Sequence, residues 1–241
     1  MIKSIFNWSG GKDSSLALYK ILQSNTHEVQ TLVTTLSEEF DRISMHGVRS
    51  QLLKSQAEAI GIPLTEIRLP EMPSMSSYDN IMKEVMGNFK QEGITTSIFG
   101  DIFLEDLKIY REKQLATVGM KAHFPLWKGD TTDLLNEFID LGFKTILVCV
   151  NADLLPEEFA GRVIDKDFIK DLPTGVDPCG ENGEFHTFVF DGPIFKKPVE
   201  FELGELVFKA YKAPKDPDDN CFKKEDAPKL SGFYFRDLIP K

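Results

Sequence analysis

The chain has 241 residues, of which 41% are hydrophobic and 27% are charged. These proportions are those of an ordinary folded protein and exclude intrinsic disorder for most of the chain. The 28 basic and 38 acidic residues leave a formal net charge of −10, so we do not expect a generally basic surface that coats nucleic acid. The length suits one large domain or two small ones.

The sequence predicts a soluble cytoplasmic protein without a membrane span. Apolar runs such as residues 146–150 are far too short to cross a bilayer, and residues 1–4 lead directly into a strand rather than into a signal peptide. The three cysteines, Cys149, Cys179 and Cys221, are widely spaced and form no CxxC pair. This spacing argues against a disulfide framework, a zinc ribbon and a redox pair.

The first half of the chain alternates between strand-like and helix-like segments. Strands are predicted over residues 2–8, 29–35, 64–69, 95–100 and 122–126. Helices are predicted between them, over residues 14–22, 48–60, 77–91 and 104–118. Alternation of this kind implies right-handed βαβ units. We therefore expect an α/β fold with a parallel five-stranded sheet and helices on both of its faces.

The second half predicts a smaller α+β domain. Its helices are expected over residues 131–141 and 168–172, and its strands over residues 145–150, 185–190 and 199–208. The aromatic residues at 233–235 suggest that the end of the chain docks back. We divide the chain into an α/β domain at 1–128, a smaller α+β domain at 129–212 and a C-terminal tail at 213–241.

A glycine loop, residues 9–14, follows the first strand and precedes the first helix. Its glycines allow a sharp turn and a close approach to a ligand, and free N–H groups at a helix start attract anions. Lys12 adds a positive charge for phosphate, while Asp13 is a candidate helix cap or magnesium ligand. The loop is neither a Walker A loop nor a GxGxxG motif, and a plain tight turn is the alternative. Its residues are Ser9, Gly10, Gly11, Lys12, Asp13 and Ser14.

A second cluster, Gly100-Asp101, ends the fourth predicted strand. If the strand order is 3-2-1-4-5, the first and fourth strands are neighbours, and the crevice between their C-terminal ends is the topological switch point of the sheet. Asp101 and the glycine loop would then flank one pocket. Taken alone, Asp101 is as typical of a helix-capping or turn residue as of a binding residue.

The third cluster is the acid-rich segment, residues 177–187, which reads Asp-Pro-Cys-Gly-Glu-Asn-Gly-Glu-Phe-His-Thr. Its dense polar residues, tied down by a proline and glycines, indicate a binding loop, with a solvated hairpin as the alternative. Glu184 and His186 share one face if the strand begins there. With Glu181 they are candidates for orienting a substrate, binding a metal or moving protons. Cys179 is a weaker candidate, because a small packed residue is favoured over a nucleophile.

These motifs carry a resemblance to a known family. The glycine loop resembles the phosphate loop of the N-type ATP pyrophosphatases, which cleave ATP between the α and β phosphates to adenylylate a substrate. Combined with residues 45–48, Gly100-Asp101, residues 110–112 and the segment 177–195, it looks like the diphthine–ammonia ligase family. The resemblance covers residues 1 to about 210 and implies an adenine nucleotide alpha hydrolase-like fold.

The resemblance implies an ATP-dependent ligase that adenylylates a carboxylate, releases pyrophosphate and transfers ammonia to the carboxylate. In the family the acceptor is diphthine, a modified histidine of elongation factor 2. Ammonia and elongation factor 2 are therefore the implied partners. ATP and Mg²⁺ are the implied cofactors. The implied catalytic residues are Lys12, Asp13, Glu181, Glu184 and His186. The implied nucleotide contacts are Ser9, Gly10, Gly11, Lys12, Asp13, Ser14, Gly100 and Asp101, with Asp13 and Asp101 as metal ligands.

Other functions stay as alternatives. A related ATP pyrophosphatase acting on another carboxylate or on a tRNA would share the glycine loop, although tRNA thiolases usually carry a cysteine pair. A nucleotide-binding sensor without catalysis is an alternative from another class, against which the Lys12-Asp13 pair and the acid-rich segment argue. Neither a membrane nor a nucleic acid is an expected partner, and a homo-oligomer stays open.

Overall fold

The structure is a computed structural model that describes residues 1–43, 46–70, 74–211 and 231–241. Met45, Cys221 and the part of the predicted tail between 213 and 230 lie outside the described residues. Within the described ranges, no helix combines the length and the apolar character that crossing a membrane requires.

The first half of the chain forms one mainly parallel sheet with helices between its strands. The strands are β1 (Ile2–Asn7), β2 (His27–Ser37), β3 (Arg42–Ile43), β4 (Leu64–Leu69), β5 (Thr96–Ile98) and β6 (Lys121–His123). The helices are α1 (Lys12–Ser24), α2 (Ser50–Ile60), α3 (Met75–Gln91) and α4 (Glu105–Thr117). The parallel strands lie in the order β4-β2-β1-β5-β6, which confirms the predicted sheet and its 3-2-1-4-5 order. The two-residue β3 pairs antiparallel with the end of β2 and is too short to show a sequence pattern.

The sheet is covered on both faces, as expected for a parallel sheet. The consecutive residues Ile5 and Phe6 on β1 are both 0% exposed, because they point to opposite faces and each meets an apolar cluster. Phe6 packs with Leu18 of α1 and Leu53 of α2, and Ile5 packs with Phe89 of α3. Each such side chain stabilises the fold by about 1.5–3 kcal/mol.

The second half forms a smaller antiparallel sheet in the order β8-β7-β10-β9. Its strands are β7 (Lys144–Asn151), β8 (Phe185–Asp191), β9 (Phe201–Tyr211) and β10 (Ser231–Pro240), accompanied by helices α5 (Thr131–Asp140) and α6 (Lys166–Asp171). The expected docking of residues 233–235 is confirmed, since they pair with residues 149–151 of β7. Residues 231–240 of the predicted tail are therefore a strand within the second sheet, with β9 on their other side.

A buried glutamine on α2 joins the two sheets at the glycine loop. The Nε2 atom of Gln56 donates to the carbonyl of Gly10 at 3.0 Å and to that of Val189 on β8 at 2.6 Å. Its Oε1 atom accepts from the indole N–H of Trp8 at 2.9 Å. The Gly10 carbonyl also accepts the backbone N–H of Val189 at 2.9 Å. Because buried polar groups must be paired, these bonds fix the glycine loop against the second sheet.

Asp237 on β10 makes a second link between the halves. Its carboxylate accepts from Nη1 of Arg42 at 2.8 Å and from Nη2 of Arg49 at 2.6 Å. Burial raises the pKa of Asp237, but hydrogen bonds and charge from the two arginines outweigh this effect and lower the pKa to about 2. Since the folded pKa lies below the unfolded one, the link stabilises above the usual aspartate pKa and is lost as the pH falls through the folded value.

We expect Asp237→Asn to lower the free energy of unfolding by about 1 kcal/mol at neutral pH, because the amide keeps its size but loses both charged pairs. The loss should shrink as the pH falls from about 4 toward about 2, where the wild-type carboxylate is itself protonated. Urea unfolding across this pH range measures the effect. Asp191→Asn is the control, because it removes an exposed pair with Lys144 and should change stability by less than about 0.5 kcal/mol. Equal losses in the two variants would contradict the assignment.

Candidate active site

A cavity of about 880 Å³ lies at the C-terminal ends of β1 and β5, where the strand order reverses. Open parallel sheets bind ligands at this point. The lining includes residues of the glycine loop, Gly100-Asp101 and residues 179–183 and 185–187 of the acid-rich segment. The three clusters selected from the sequence therefore share one cavity, and its size is in the range of small-molecule sites.

The glycine loop requires glycine at its two glycine positions for different steric reasons. Gly10 has φ +75°, in the left-handed region that favours glycine, and an added Cβ would lie 2.7 Å from Oε1 of Gln56. Gly11 lies against β8, where an added Cβ would approach the carbonyl oxygen of Thr187 to 3.2 Å. Gly10 makes the turn but does not line the cavity, so its contact with a nucleotide stays a prediction.

Helix α1 begins with an open N-terminus at the cavity. Gly11, its N-cap residue, has no side chain that could accept an N–H group of the first turn. The N–H of Lys12 donates to Oγ1 of Thr187 at 3.0 Å, while the hydroxyl of Ser9 donates to that of Ser14 at 3.1 Å. The partial positive charge of an open helix start makes this end of the cavity an anion site.

Lys12 lies between two of the sequence motifs. Its side chain is 4% exposed, and its Nζ donates to Oδ2 of Asp13 at 2.7 Å and to the carbonyl of Cys179. The ammonium also lies 5.4 Å from the centre of the Phe185 ring. Burial lowers the pKa of Lys12, but the neighbouring Asp13, Cys179 and Glu181 together outweigh burial and leave the pKa above its usual value. Lys12 is therefore a fixed positive charge.

Three acidic side chains crowd the same end of the cavity. Burial raises the pKa of Asp13, Asp101 and Glu181, and repulsion among them raises the pKa of Asp101 and Glu181 further. Lys12 opposes the rise for Asp13, and Arg111, which pairs with Asp101 at 3.1 Å, opposes it for Asp101. The cluster therefore favours a bound cation or protons.

The donor set fits Mg²⁺ in part. Oδ2 of Asp101 is buried and has no hydrogen-bond partner among the described residues, which leaves one carboxylate oxygen unused. In the part of the chain that the structure describes, no three His, Cys, Asp or Glu residues form a complete metal site. Mg²⁺ usually takes only one or two carboxylates and completes its shell with phosphate oxygens and water. Asp13 and Asp101 can supply such a partial set.

Two carboxylates hold the acid-rich segment in shape. Oδ2 of Asp177 accepts the N–H groups of Cys179 at 3.1 Å and of Glu181 at 3.0 Å. Glu184 accepts the N–H of Asp177 at 3.1 Å and both the N–H and the side-chain amide of Asn182, at 2.8 and 3.1 Å. Glu184 is 2% exposed and does not line the cavity, unlike Glu181. This geometry gives Glu184 a part in shaping the loop, and its catalytic role stays a prediction.

Two imidazoles meet above the glycine loop. The rings of His46 and His186 are stacked, with centroids 4.4 Å apart and planes 24° apart, and both line the cavity. Cys179 is buried, its Sγ donates to the carbonyl of Thr131 at 3.3 Å, and burial raises the pKa of its thiol. It is thus the packed residue that the sequence favours rather than a thiolate nucleophile.

Helices α3 and α4 form a further wall of the cavity, and its residues are not among the site residues predicted from the sequence. Asp79 on α3 accepts hydrogen bonds from Tyr110 and Gln114 on α4, and all three line the cavity. The guanidinium of Arg111 lies 4.3 Å from the centre of the Phe99 ring. On α4, the family-like residues 110–112 indicate this wall in the sequence. Nothing in a single sequence indicates Asp79 on α3, because a polar helix residue usually faces water.

Curated relatives of this chain carry one name. A diphthine–ammonia ligase of Danio rerio is 27% identical, and the match covers 83% of this chain and 86% of the relative. The diphthine–ammonia ligase of Homo sapiens is 26% identical, with 83% and 82% covered. Among solved structures, the U34-tRNA thiolase NcsA from Methanococcus maripaludis matches with a TM-score of 0.37 and 20% identity, over 58% of this chain and 57% of that chain.

The relatives and the glycine loop together define the class of this protein, an ATP-dependent ligase of the N-type ATP pyrophosphatase type. Two family models cover most of its length. The diphthamide synthase N-terminal domain matches residues 2–122, and the diphthamide synthase C-terminal domain matches residues 130–213. The chain belongs to the diphthamide synthase family, which confirms the resemblance that its motifs carry.

We expect Gly100→Ala to weaken ATP binding by about tenfold or more. An added Cβ would lie 3.0 Å from the backbone carbon of Asp13 and the nitrogen of Ser14, so the start of α1 must move. Gly87→Ala on α3 is the control, because nothing lies within 4 Å of the added Cβ. It should leave ATP binding unchanged and raise stability by about 0.5–1 kcal/mol. Calorimetric titration with ATP compares the two, and unchanged affinity in Gly100→Ala would contradict the site.

Glu184→Gln should lower the free energy of unfolding by about 1–3 kcal/mol, because the new NH₂ group would face N–H donors that the carboxylate accepted. Glu181→Gln is the control in the same segment. It should be at least as stable as the wild type, with an advantage that grows as the pH rises through the raised folded pKa of Glu181. Urea unfolding at about pH 6 and about pH 9 tests both variants. A Glu184→Gln protein of wild-type stability would refute the shaping role.

Proposed function

We propose that this protein uses ATP to join ammonia to a carboxylate, with release of AMP and pyrophosphate, and that the carboxylate is that of diphthine on elongation factor 2. A carboxylate is a poor acyl donor because its leaving group would be oxide. Its attack on the α-phosphorus of ATP forms an acyl-adenylate and displaces pyrophosphate. Ammonia then attacks the carbonyl carbon, and AMP departs with the electron pair of the broken C–O bond.

The glycine loop is suited to the first step. The departing pyrophosphate carries dense negative charge, which the open start of α1 and the fixed charge of Lys12 can stabilise. Asp13 and Asp101 would hold Mg²⁺, which when bound neutralises phosphate charge. Ser9 and Ser14 hold the loop through their mutual hydrogen bond and leave the helix end uncapped.

The acid-rich segment is suited to the second step. Glu181 lines the cavity near Asp13 of the glycine loop, and burial first and the charge of Asp13 next raise the pKa of its carboxyl group. A raised pKa makes the carboxylate a stronger base, so Glu181 can take a proton from ammonium and deliver the neutral nucleophile. His186 lines the same region.

One contact supports the proposal most directly. The Nζ atom of Lys12 donates to the carbonyl of Cys179, so the glycine loop and the acid-rich segment meet at a single ammonium group. These are the two motifs that carry the family resemblance, and they lie more than 160 residues apart in the chain. Their meeting supports the proposal of a phosphate site beside an acid–base site, the arrangement that carboxylate activation followed by nitrogen attack requires.

The experiment mixes the protein with Mg-ATP, ammonium chloride and diphthine-bearing elongation factor 2 whose diphthine carboxylate is labelled with oxygen-18. We expect AMP and amide to form in equal amounts, with one labelled oxygen in AMP. Label in inorganic phosphate together with ADP would overturn the adenylylation step. AMP without amide would direct the search to another carboxylate or to a tRNA, and ATP bound but uncleaved would favour a sensor.

Lys12→Met should lower the rate of AMP formation by about 100-fold or more, because one fixed charge is lost at the departing pyrophosphate. Lys20→Met on the same helix is the control, since Lys20 only pairs with Glu137 at the surface. It should keep the wild-type rate. Circular dichroism of both variants checks that they fold, and full turnover by a folded Lys12→Met protein would remove Lys12 from the mechanism.

A further inference from the structure

The stacked imidazoles of His46 and His186 have no specified step in the reaction, although the family resemblance implies a catalytic role for His186. His46 precedes α2, whereas His186 lies on β8, so the pair bridges the two halves of the molecule above the glycine loop. Both rings line the cavity that contains Lys12 and Glu181. Two imidazoles stacked at 4.4 Å restrict each other's rotation, so the position of His186 depends on His46.

The hydrogen bonds of the pair leave His186 open toward the cavity. Nδ1 of His46 is buried without a hydrogen-bond partner among the described residues, and the stacked ring of His186 covers one face of His46. No described residue makes a hydrogen bond to the His186 ring, and its nitrogens are not among the buried unpaired atoms. A ring nitrogen of His186 is therefore accessible to a small ligand inside the cavity.

The electrostatic surroundings keep both rings neutral. Burial, followed by the charge of Lys12, lowers the pKa of His186 to about 4. Burial and the neighbouring His186 lower the pKa of His46 well below its usual value, and Lys12 adds to this effect. Lys12 is the charged group that faces the pair, and Asp13 and Glu181 are the acids next to it. A neutral imidazole offers one unprotonated nitrogen that accepts a hydrogen bond.

We propose that His186, held in place by His46, binds the ammonia that attacks the activated carboxylate. This inference rests on the proposed function and names the nitrogen site within it. Neutral ammonia can donate one N–H to the accessible nitrogen of His186 and keep its lone pair free. Ammonium has no lone pair to attack with, so only the neutral molecule reacts from this site.

Ammonia bound at His186 attacks the carbonyl carbon of the acyl-adenylate. The nitrogen lone pair forms the new C–N bond, and the C–O bond to AMP breaks with its electron pair on the departing phosphate oxygen. The nitrogen, which then carries one proton too many, releases it to solvent, because the imidazole of His186, with its pKa lowered to about 4, stays neutral and acts as a hydrogen-bond acceptor. His186 is a catalytic residue in this account, and His46 is a positioning residue.

The first test is kinetic. With Mg-ATP and diphthine-bearing elongation factor 2, His186→Leu should raise the KM for ammonium by about tenfold or more, because a hydrogen bond to the nucleophile is lost. The KM for ATP should change by less than about twofold. His186→Gln, which keeps an acceptor oxygen, should recover part of the ammonium affinity. Equal changes in both KM values would reduce His186 to a structural residue and overturn the proposal.

A matched pair of variants tests His46. His46→Phe keeps a flat ring under His186 and should retain an ammonium KM within about threefold of the wild type, whereas His46→Ala should raise it by about tenfold. If His46→Phe is as impaired as His46→Ala while both proteins are folded, stacking is not the positioning force.

A binding measurement separates this inference from the proposed function. Imidazole nitrogen resonances of nitrogen-15 histidine-labelled protein are followed during a titration with ammonium chloride, with sodium chloride as the salt control. A saturable shift of the His186 resonance, reduced in His46→Ala, is the expected result. Absence of any shift beyond that caused by sodium chloride would overturn the ammonia site even if amide forms. Failure of the wild type to form amide would overturn the acceptor and leave this measurement decisive for His186.

Discussion

The backbone carbonyl of Gly10 ties the glycine loop to both sheets, and the geometry of the cavity depends on it. It accepts the N–H of Val189 from the second sheet and the side-chain amide of Gln56 from the first. Both donors are buried, so neither can leave without an uncompensated loss of a hydrogen bond. The left-handed turn at Gly10 aims the carbonyl toward them and at the same time directs the following residues into α1.

The charges in the cavity follow from this anchoring. With the loop fixed, Lys12 lies beside Asp13 and the carbonyl of Cys179, and Glu181 lies near Asp101, where it accepts the N–H of Ile102 at 3.4 Å. The result is a charged amine among acids whose ionisation is opposed by burial and by one another. The charges of such an arrangement are better compensated around a polyanion with its counter-ion. Groups whose ionisation is opposed in this way cluster at binding sites.

The long, periodic elements could be predicted because local sequence decides them. The predicted bounds of β4 match the structure to the residue, since the run ends at Pro70, and the loop clusters were recognised by residue type. Three features could not be predicted. The docking of residues 233–235 was expected, but the sequence does not show that they belong to a strand between β7 and β9. Gln56 is a polar helix residue with no sign of burial in the sequence, and Glu184 looks like its neighbour Glu181 until the fold shows which one is enclosed. Each depends on contacts between distant parts of the chain.

The position of β10 has a consequence for synthesis of the chain. This strand lies between β7 and β9, yet it follows all of the other described strands in sequence. A ribosome therefore releases the parallel sheet, and even β8, well before the segment that completes the antiparallel sheet emerges. Until then β7 has an open edge, which is a site for wrong pairing. The first half can assemble early from local βαβ units, whereas closure of the second sheet must wait for β10.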